Sequence, residues 1–279
     1  MAVNILVGDI GSTKSTWWSN SEGNKEFLLT GYNPVVHDVG VGQRLFEQLW
    51  HVTEGDPFSK IWYYGTGIVD DQVALRVSAA MKKFFPTADI EVASDLLGAA
   101  IAACGNQEGV LVILGTGSHA AVFDGQKILQ QAKSLGFLLG DEGGGSDIGK
   151  ELVKAYFYNQ MPDNMMNDMK NMVNGDRSDF LQKLYYHETP NQFLAEFVKL
   201  AVQHREDPWV QNLITERFIL FIRHHLLPLQ PKSPIQVVGS IGSIFADLFR
   251  KALEINNLKP GNFIQDPALR LFEMHLQHD

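Results

Sequence analysis

The feature that most restricts how this chain can fold is a pattern that occurs twice. Asn4 to Ile10 is an apolar run carrying an acid near its end; Gly11-Ser12-Thr13-Lys14 then turns the chain, and Ser15-Thr16-Trp17-Trp18 returns. The order restarts at Gly109-Val110-Leu111-Val112-Ile113-Leu114, turns on Gly115-Thr116-Gly117-Ser118 and returns through His119 to Phe123. An apolar strand that passes through glycine and hydroxyls into a second strand reads as a β-hairpin. Gly11 is free to take positive φ at the first tip. That tip offers backbone N–H groups, two hydroxyls, Lys14 and the Asp9 carboxylate. These are the parts that hold a triphosphate and its Mg²⁺, with amides and Lys14 facing oxygens and Asp9 facing the ion through water.

Each hairpin opens a larger module. In the first, Lys25 to Thr30 reads as a third strand, Val41 to Trp50 as a helix and Lys60 to Tyr64 as a strand stopped by Gly65-Thr66-Gly67. Asp70 to Phe84 is a second helix, Ile90 to Ala93 a strand, and Ser94-Asp95 opens an alanine-rich helix through Cys104. The order is β-β-β-α-β-α-β-α, with periods that switch between two and 3.6. In the second, Gln126 to Gln130 is the third strand, and residues 145–228 are mainly helical, with breaks near Pro162, Gly175 and Pro190. Pro234 to Val238 is a strand, Gly239-Ser240-Ile241-Gly242-Ser243 a turn, Ile244 to Ile255 one amphipathic helix and Pro267 to Gln277 another. Two domains are expected, 1–108 and 109–279, with the helix at 267–277 packing back on the first.

Composition excludes several classes of function. A formal charge of −9 without any basic run argues against nucleic acid or an anionic membrane as partner. Cys104 is the only cysteine, which rules out an intrachain disulfide and any multi-thiolate zinc or iron–sulfur site. No apolar run reaches membrane-spanning length, and the N-terminus lacks a basic region ahead of an apolar one. The expectation is a cytoplasmic protein, and a homodimer is the commonest outcome for a soluble enzyme.

Two glycine patterns point elsewhere and fail on context. Gly115-Thr116-Gly117-Ser118-His119-Ala120 fits a dinucleotide fingerprint, but the alternation after it leads to an Asp124-Gly125 turn, so a strand stands where a helix is needed. Gly144 to Lys150 has P-loop spacing, yet Glu151 stands where a Ser or Thr must meet Mg²⁺. Capping of the next helix by Ser146 or Asp147 is the simpler account.

Three Gly-hydroxyl turns, each after an apolar strand, remain. With them the chain resembles the actin-like ATPase and sugar-kinase superfamily, and within it the N-acetylglucosamine kinase group related to BadF/BadG-type ATPases. The resemblance runs from Gly8 to about Phe272 through Gly8-Asp9-Ile10-Gly11-Ser12-Thr13-Lys14, Ala93-Ser94-Asp95, Gly115-Thr116-Gly117-Ser118, Gly136-Phe137-Leu138-Leu139-Gly140-Asp141-Glu142-Gly143 and Gly239-Ser240-Ile241-Gly242. It implies an α/β fold of two ribonuclease-H-like lobes with a central nucleotide cleft. It further implies ATP and Mg²⁺ as cofactors and transfer of the γ-phosphate to an amino sugar, foremost N-acetylglucosamine at the 6-hydroxyl, with glucosamine or N-acetylmuramic acid as other acceptors. On this likeness Asp95 is the general base. Gly11, Ser12, Thr13, Lys14, Gly115, Thr116, Gly117 and Ser118 hold phosphate, and Gly239, Ser240 and Gly242 lie by adenosine. Asn33, Thr66, Asp95 and Asp141 meet the sugar, and Asp9 meets Mg²⁺. Phe137-Leu138 departs from the Trp-Gly of well-known sugar kinases.

Two other classes compete. A BadF-like activator or ATPase would hydrolyse ATP without regard to sugar, but its bridging cluster takes two cysteines from each subunit and this chain has one. A sugar sensor that has lost catalysis would have no use for Asp9, Lys14 and Asp95.

Overall fold

Alternation along one strand lays out the first sheet. The computed structural model describes residues 4–12, 14–21 and 23–278. In β4 (Lys60–Gly65), Ile61 and Tyr63 face one core while Trp62 and Tyr64 face another. β1 (Ile5–Ile10) lies parallel to β4 and antiparallel to β2 (Lys14–Ser19), which pairs antiparallel with β3 (Lys25–Thr30). Helix α1 (Val39–Val52) leads from β3 into β4. Helix α2 (Asp71–Met81) leads on to β5 (Asp89–Ser94), which is parallel to β4, and α3 (Asp95–Cys104) comes next. Strand order is β3-β2-β1-β4-β5.

The second sheet repeats that arrangement. β6 (Glu108–Leu114), β7 (Ser118–Asp124) and β8 (Ile128–Gln131) form an antiparallel meander. A helical stretch then runs through α4 (Gly136–Leu139), α5 (Gly145–Phe157), α6 (Asp163–Val173), α7 (Arg177–Tyr186), α8 (Pro190–Ala195), α9 (Val198–Gln203) and α10 (Pro208–Phe221). It ends in a π-helical turn, Ile222–Leu226, and a 3₁₀ turn, Leu227–Leu229. β9 (Ile235–Val238) returns parallel to β6, and α11 (Ser240–Ile244) and α12 (Ala246–Ile255) lead to β10 (Pro260–Ile264), parallel to β9. The order β8-β7-β6-β9-β10 matches the first sheet strand for strand. The mixed α/β architecture with one ribonuclease-H-like sheet per module, expected from the sequence, is what the chain adopts.

The chain divides into two compact units. One comprises residues 1–106, 125–127 and 266–279, the other 107–124 and 128–265. Each has its own interior. In the first, Leu6, Ile10, Trp17, Phe46, Ile61 and Tyr63 fill one face of the sheet. Ile5, Val7, Trp62 and Tyr64 fill the other, closed by Ala102 of α3 and by Leu271 and Phe272 of α13 (Pro267–His278). In the second, Val110, Val112 and Leu114 of β6 share a core with Phe218, Phe221 and Phe249.

Several local expectations need correction. Gly11 does not take positive φ; its N–H instead donates to the Lys14 carbonyl, closing the turn within itself. The turn expected at 239–243 is helical from Ser240, and the helix expected over 244–255 starts at Ala246, after a break at Phe245. Strand β10 has no counterpart among the expected elements, because Pro260-Gly261 reads as a turn, and its pairing with β9 shifts register between Pro260 and Phe263. Helix α5 is capped by neither Ser146 nor Asp147. Gly144 holds the cap position without a side-chain bond, and Asp147 lies inside the helix.

Candidate active site

In the first unit the candidate residues gather at the carboxyl ends of the parallel strands, where open α/β sheets bind ligands. Asp9 is the penultimate residue of β1, and the Thr66 amide donates to the Ile10 carbonyl at the end of that strand (2.9 Å). Asn33 sits beyond the end of β3. Its Oδ1 accepts from the Val35 N–H at 3.0 Å, an Asx turn, and its Nδ2 reaches the Ser12 Oγ at 3.5 Å. Gly67, with φ of 74°, packs directly on the Asn33 side-chain oxygen, so any larger residue would push Asn33 aside. Ser12, Asn33 and Thr66 are thus tied to one region. Lys14 opens β2 with its side chain exposed. Thr13 lies outside the described residues.

Asp95 succeeds β5 as the first residue of α3. The capping role belongs to Ser94, whose Oγ accepts from the Leu97 N–H at 3.2 Å. Asp95 Oδ1 accepts from the Leu96 N–H at 2.7 Å, within the first turn, where the helix dipole favours a carboxylate. Its charge is felt at Asp9. Burial, then the charges of Asp95 and Asp266, push the Asp9 carboxyl up to about 7, with Lys14 opposing them. Asp266 is the member of this acidic group that sequence reasoning missed. Its Oδ1 caps α13 through the Leu269 N–H (3.0 Å), and an Asp before a Pro reads as a capping residue and nothing more.

In the second unit the turn between β6 and β7 docks on the start of α5. Gly115 and Thr116 carbonyls accept from the Gly145 and Ser146 N–H groups, each at 2.8 Å. Those are the amides a P-loop helix would offer to phosphate, so the P-loop spacing at 144–150 is accidental. The strand expected after Gly117 is present as β7, which removes the dinucleotide reading as well. The Gly115 N–H closes its own turn on the Gly117 carbonyl (3.0 Å), as the Gly11 N–H does on Lys14. A Cβ on Gly117 would lie 2.8 Å from Asp141 Oδ2, so only glycine lets that carboxyl approach.

Asp141 has a φ of 59°, a left-handed conformation uncommon outside glycine, Asn and Asp, which Glu54, Asn159, Asn174, Gln230 and Asn257 also adopt. Burial raises its pKa, against an opposing hydrogen bond from the Ser118 N–H. Gly239 lies against the Leu114 carbonyl, and Ile241 meets Gly145, so Gly239 and the start of α11 join the same group. Phe137 and Leu138 lie in α4, just before Asp141 in the chain, with Leu138 exposed.

Five buried side-chain polar atoms lack a partner among the described residues, and three are the hydroxyls of Ser118, Ser146 and Ser243, in or beside these turns. Such groups are rare in folded proteins, and their concentration here marks a place for water or for ligand oxygens.

No protein-family model matches the chain, and no curated protein matches it. Solved structures do. The putative N-acetylglucosamine kinase of Porphyromonas gingivalis is 30% identical with a TM-score of 0.92, over 98% of this chain and 99% of that one. The putative N-acetylglucosamine kinase of Chromobacterium violaceum is 17% identical with a TM-score of 0.71, over 98% and 99%. A ROK family glucokinase from Streptomyces griseus, in complex with glucose and AMPPNP, is 13% identical with a TM-score of 0.56, over 97% and 98%. The last two are alike in fold alone.

Proposed function

The chain belongs to the sugar-kinase family of the actin-like ATPase superfamily, and we propose that it transfers the γ-phosphate of ATP to an amino sugar, N-acetylglucosamine at its 6-hydroxyl first among candidates. The observation that carries this reading is the pair of carboxylates, Asp9 and Asp95, at the carboxyl ends of β1 and β5, the parallel strands on either side of β4, in the same unit as Ser12, Asn33 and Thr66.

Phosphoryl transfer asks a protein for positioning, charge neutralisation and a base. Asp95 takes the last role. As the first residue of α3 it lies where the helix dipole favours a carboxylate, and it accepts the proton of the attacking sugar hydroxyl. Asn33, Thr66 and Asp141 orient the sugar. Lys14 and the turns at 11–13 and 115–118 hold the phosphates, and an oxygen near Ser118 would meet a hydroxyl that otherwise lacks a partner. The 239–242 turn serves the adenosine.

The residues present also fit Mg²⁺. Asp9 is an oxygen donor whose proton affinity is raised by burial and two further acids, a state that a bound cation relieves. No group of three or more ligating side chains exists among the described residues. An Mg²⁺ ion would be held through the Asp9 carboxylate, water and substrate phosphates. When bound, the ion supplies charge neutralisation on the phosphate oxygens.

Coupled ADP detection with MgATP and a panel of N-acetylglucosamine, glucosamine, N-acetylmuramic acid and glucose tests the proposal. We expect one amino sugar to raise ADP release about tenfold or more over its absence. Hydrolysis indifferent to every sugar would instead identify a nucleotide-driven ATPase, and sugar binding without turnover a sensor.

A further inference from the structure

The segment holding Asp141 is tied to one helical element at two points. Asp147 of α5, almost fully buried, accepts from Arg217 of α10 through Nε at 2.7 Å and Nη2 at 3.0 Å, and its Oδ2 also accepts from the Gly143 N–H at 2.9 Å. Further along, where α10 passes into the π-helical turn, His224 and His225 both reach Glu142. His224 Nδ1 lies 3.1 Å from Oε1 and His225 Nε2 lies 2.7 Å from Oε2, one histidine per oxygen. Burial pushes the Glu142 carboxyl up, but hydrogen bonds from His225, from its own backbone N–H and from His224 together outweigh it and lower its pKa. A carboxylate can only accept, so both ring nitrogens facing it donate.

The π turn makes this possible. It places more residues in each turn than an α-helix does, so consecutive side chains diverge less and two adjacent histidines can address one carboxylate. Single π turns inside helices recur at functional sites. His225 is further fixed by stacking on the buried Phe221 ring, with centroids 5.4 Å apart. Its side chain is 11% exposed and that of Glu142 16%, so the pair is sheltered, while His224 at 55% closes the outer side. Glu142 directly succeeds Asp141, whose left-handed backbone must be offset by its surroundings.

We propose that Glu142 is a positioning residue: gripped by His224 and His225, it holds the backbone at Asp141 in its left-handed state and so aims the Asp141 carboxyl at the sugar. This rests on the reading of Asp141 as a sugar contact. Neither histidine nor Glu142 touches substrate; they act through Asp141.

The test uses the full chain with Glu142→Ala, His224→Ala, His225→Ala, His225→Asn and the Glu142→Ala/His225→Ala double variant. Expected is an increase of about tenfold in KM for the amino sugar in Glu142→Ala and His225→Ala, with kcat within about twofold and KM for MgATP unchanged. The double variant should be no worse than Glu142→Ala alone, because the two residues form one device. His225→Asn keeps an N–H donor and should recover most of the affinity. Amide hydrogen exchange at 141–144 in the ligand-free protein should quicken in Glu142→Ala and His225→Ala. Unchanged exchange, additive losses, or KM for MgATP rising in step with that for sugar would overturn the proposal. Absence of sugar-stimulated turnover in the parent protein would defeat the kinase reading alone, since exchange still judges the clamp. Should Glu142→Ala fail to fold, His224→Ala, on the more exposed partner, supports the clamp by quickening exchange at 141–144 and counts against it if exchange is unchanged.

Discussion

At Asp9 burial and charge pull the same way. The carboxyl is surrounded largely by protein and faces Asp95 and Asp266, with Lys14 as the opposing charge, and its pKa rises to about 7. A proton is therefore held more tightly by the folded chain than by the unfolded one. Stability owed to that proton is present below about 4 and is lost as the pH climbs toward 7. In metal-free buffer, Asp9→Asn should thus raise the melting temperature at pH 8 by about 2–6 °C, and by much less at pH 4. The same variant should lose sugar-stimulated turnover. Melting curves at the two pH values check the sign, and a lower melting temperature at pH 8 would mean that Asp9 is held ionised by a partner. Part of this group is legible in the sequence. Asp9 and Asp95 each end a strand or open a helix, which spacing can show. Asp266 meets Asp9 only through the fold, and Glu142 meets His224 and His225 from the far side of the helical stretch. No local pattern encodes such pairings.

Elements with strong local signals formed as their sequences indicate, and those without were misread. The hairpins β1–β2 and β6–β7, and the switch from strand to helix at Ser94-Asp95, combine alternation, turn residues and a cap. β10 combines Pro and Gly with an irregular register, so nothing short-range separates it from a loop. Phe245 leaves helical geometry, with φ of −109° and ψ of 37°, in a sequence whose apolar period runs on unbroken, and its ring is buried in the core of the second unit. Helix α13 has the largest consequence. It packs on α3, β1 and β2 and covers Ile5, Val7, Trp62 and Tyr64, while His275 stacks on Trp62 with centroids 3.9 Å apart and bonds the Tyr64 hydroxyl at 2.8 Å. The last element of the chain therefore completes the core of the first unit. Phe272, fully buried and stacked on Trp18, should cost about 3–5 kcal/mol when changed to Ala. Urea unfolding measures it, and a loss under about 1 kcal/mol would show that the helix contributes little to that core.

Across the whole molecule one topology is used twice, each time with a Gly-hydroxyl turn between the first two strands. The solved structures from Porphyromonas gingivalis and Chromobacterium violaceum share this fold over 98% of the chain. The net charge of −9 is compatible with a phosphate ligand because the cations and hydroxyls that would hold it are local. The proposed phosphoryl transfer makes one narrow demand: a single acid, Asp95, would take the proton from the sugar hydroxyl. The most direct measurement compares the parent protein with Asp95→Asn for ADP release at saturating MgATP and amino sugar, alongside calorimetric binding of each ligand. Turnover is predicted to fall about 10²–10⁴-fold while both affinities stay within about threefold. Sugar-stimulated turnover persisting in Asp95→Asn would contradict it.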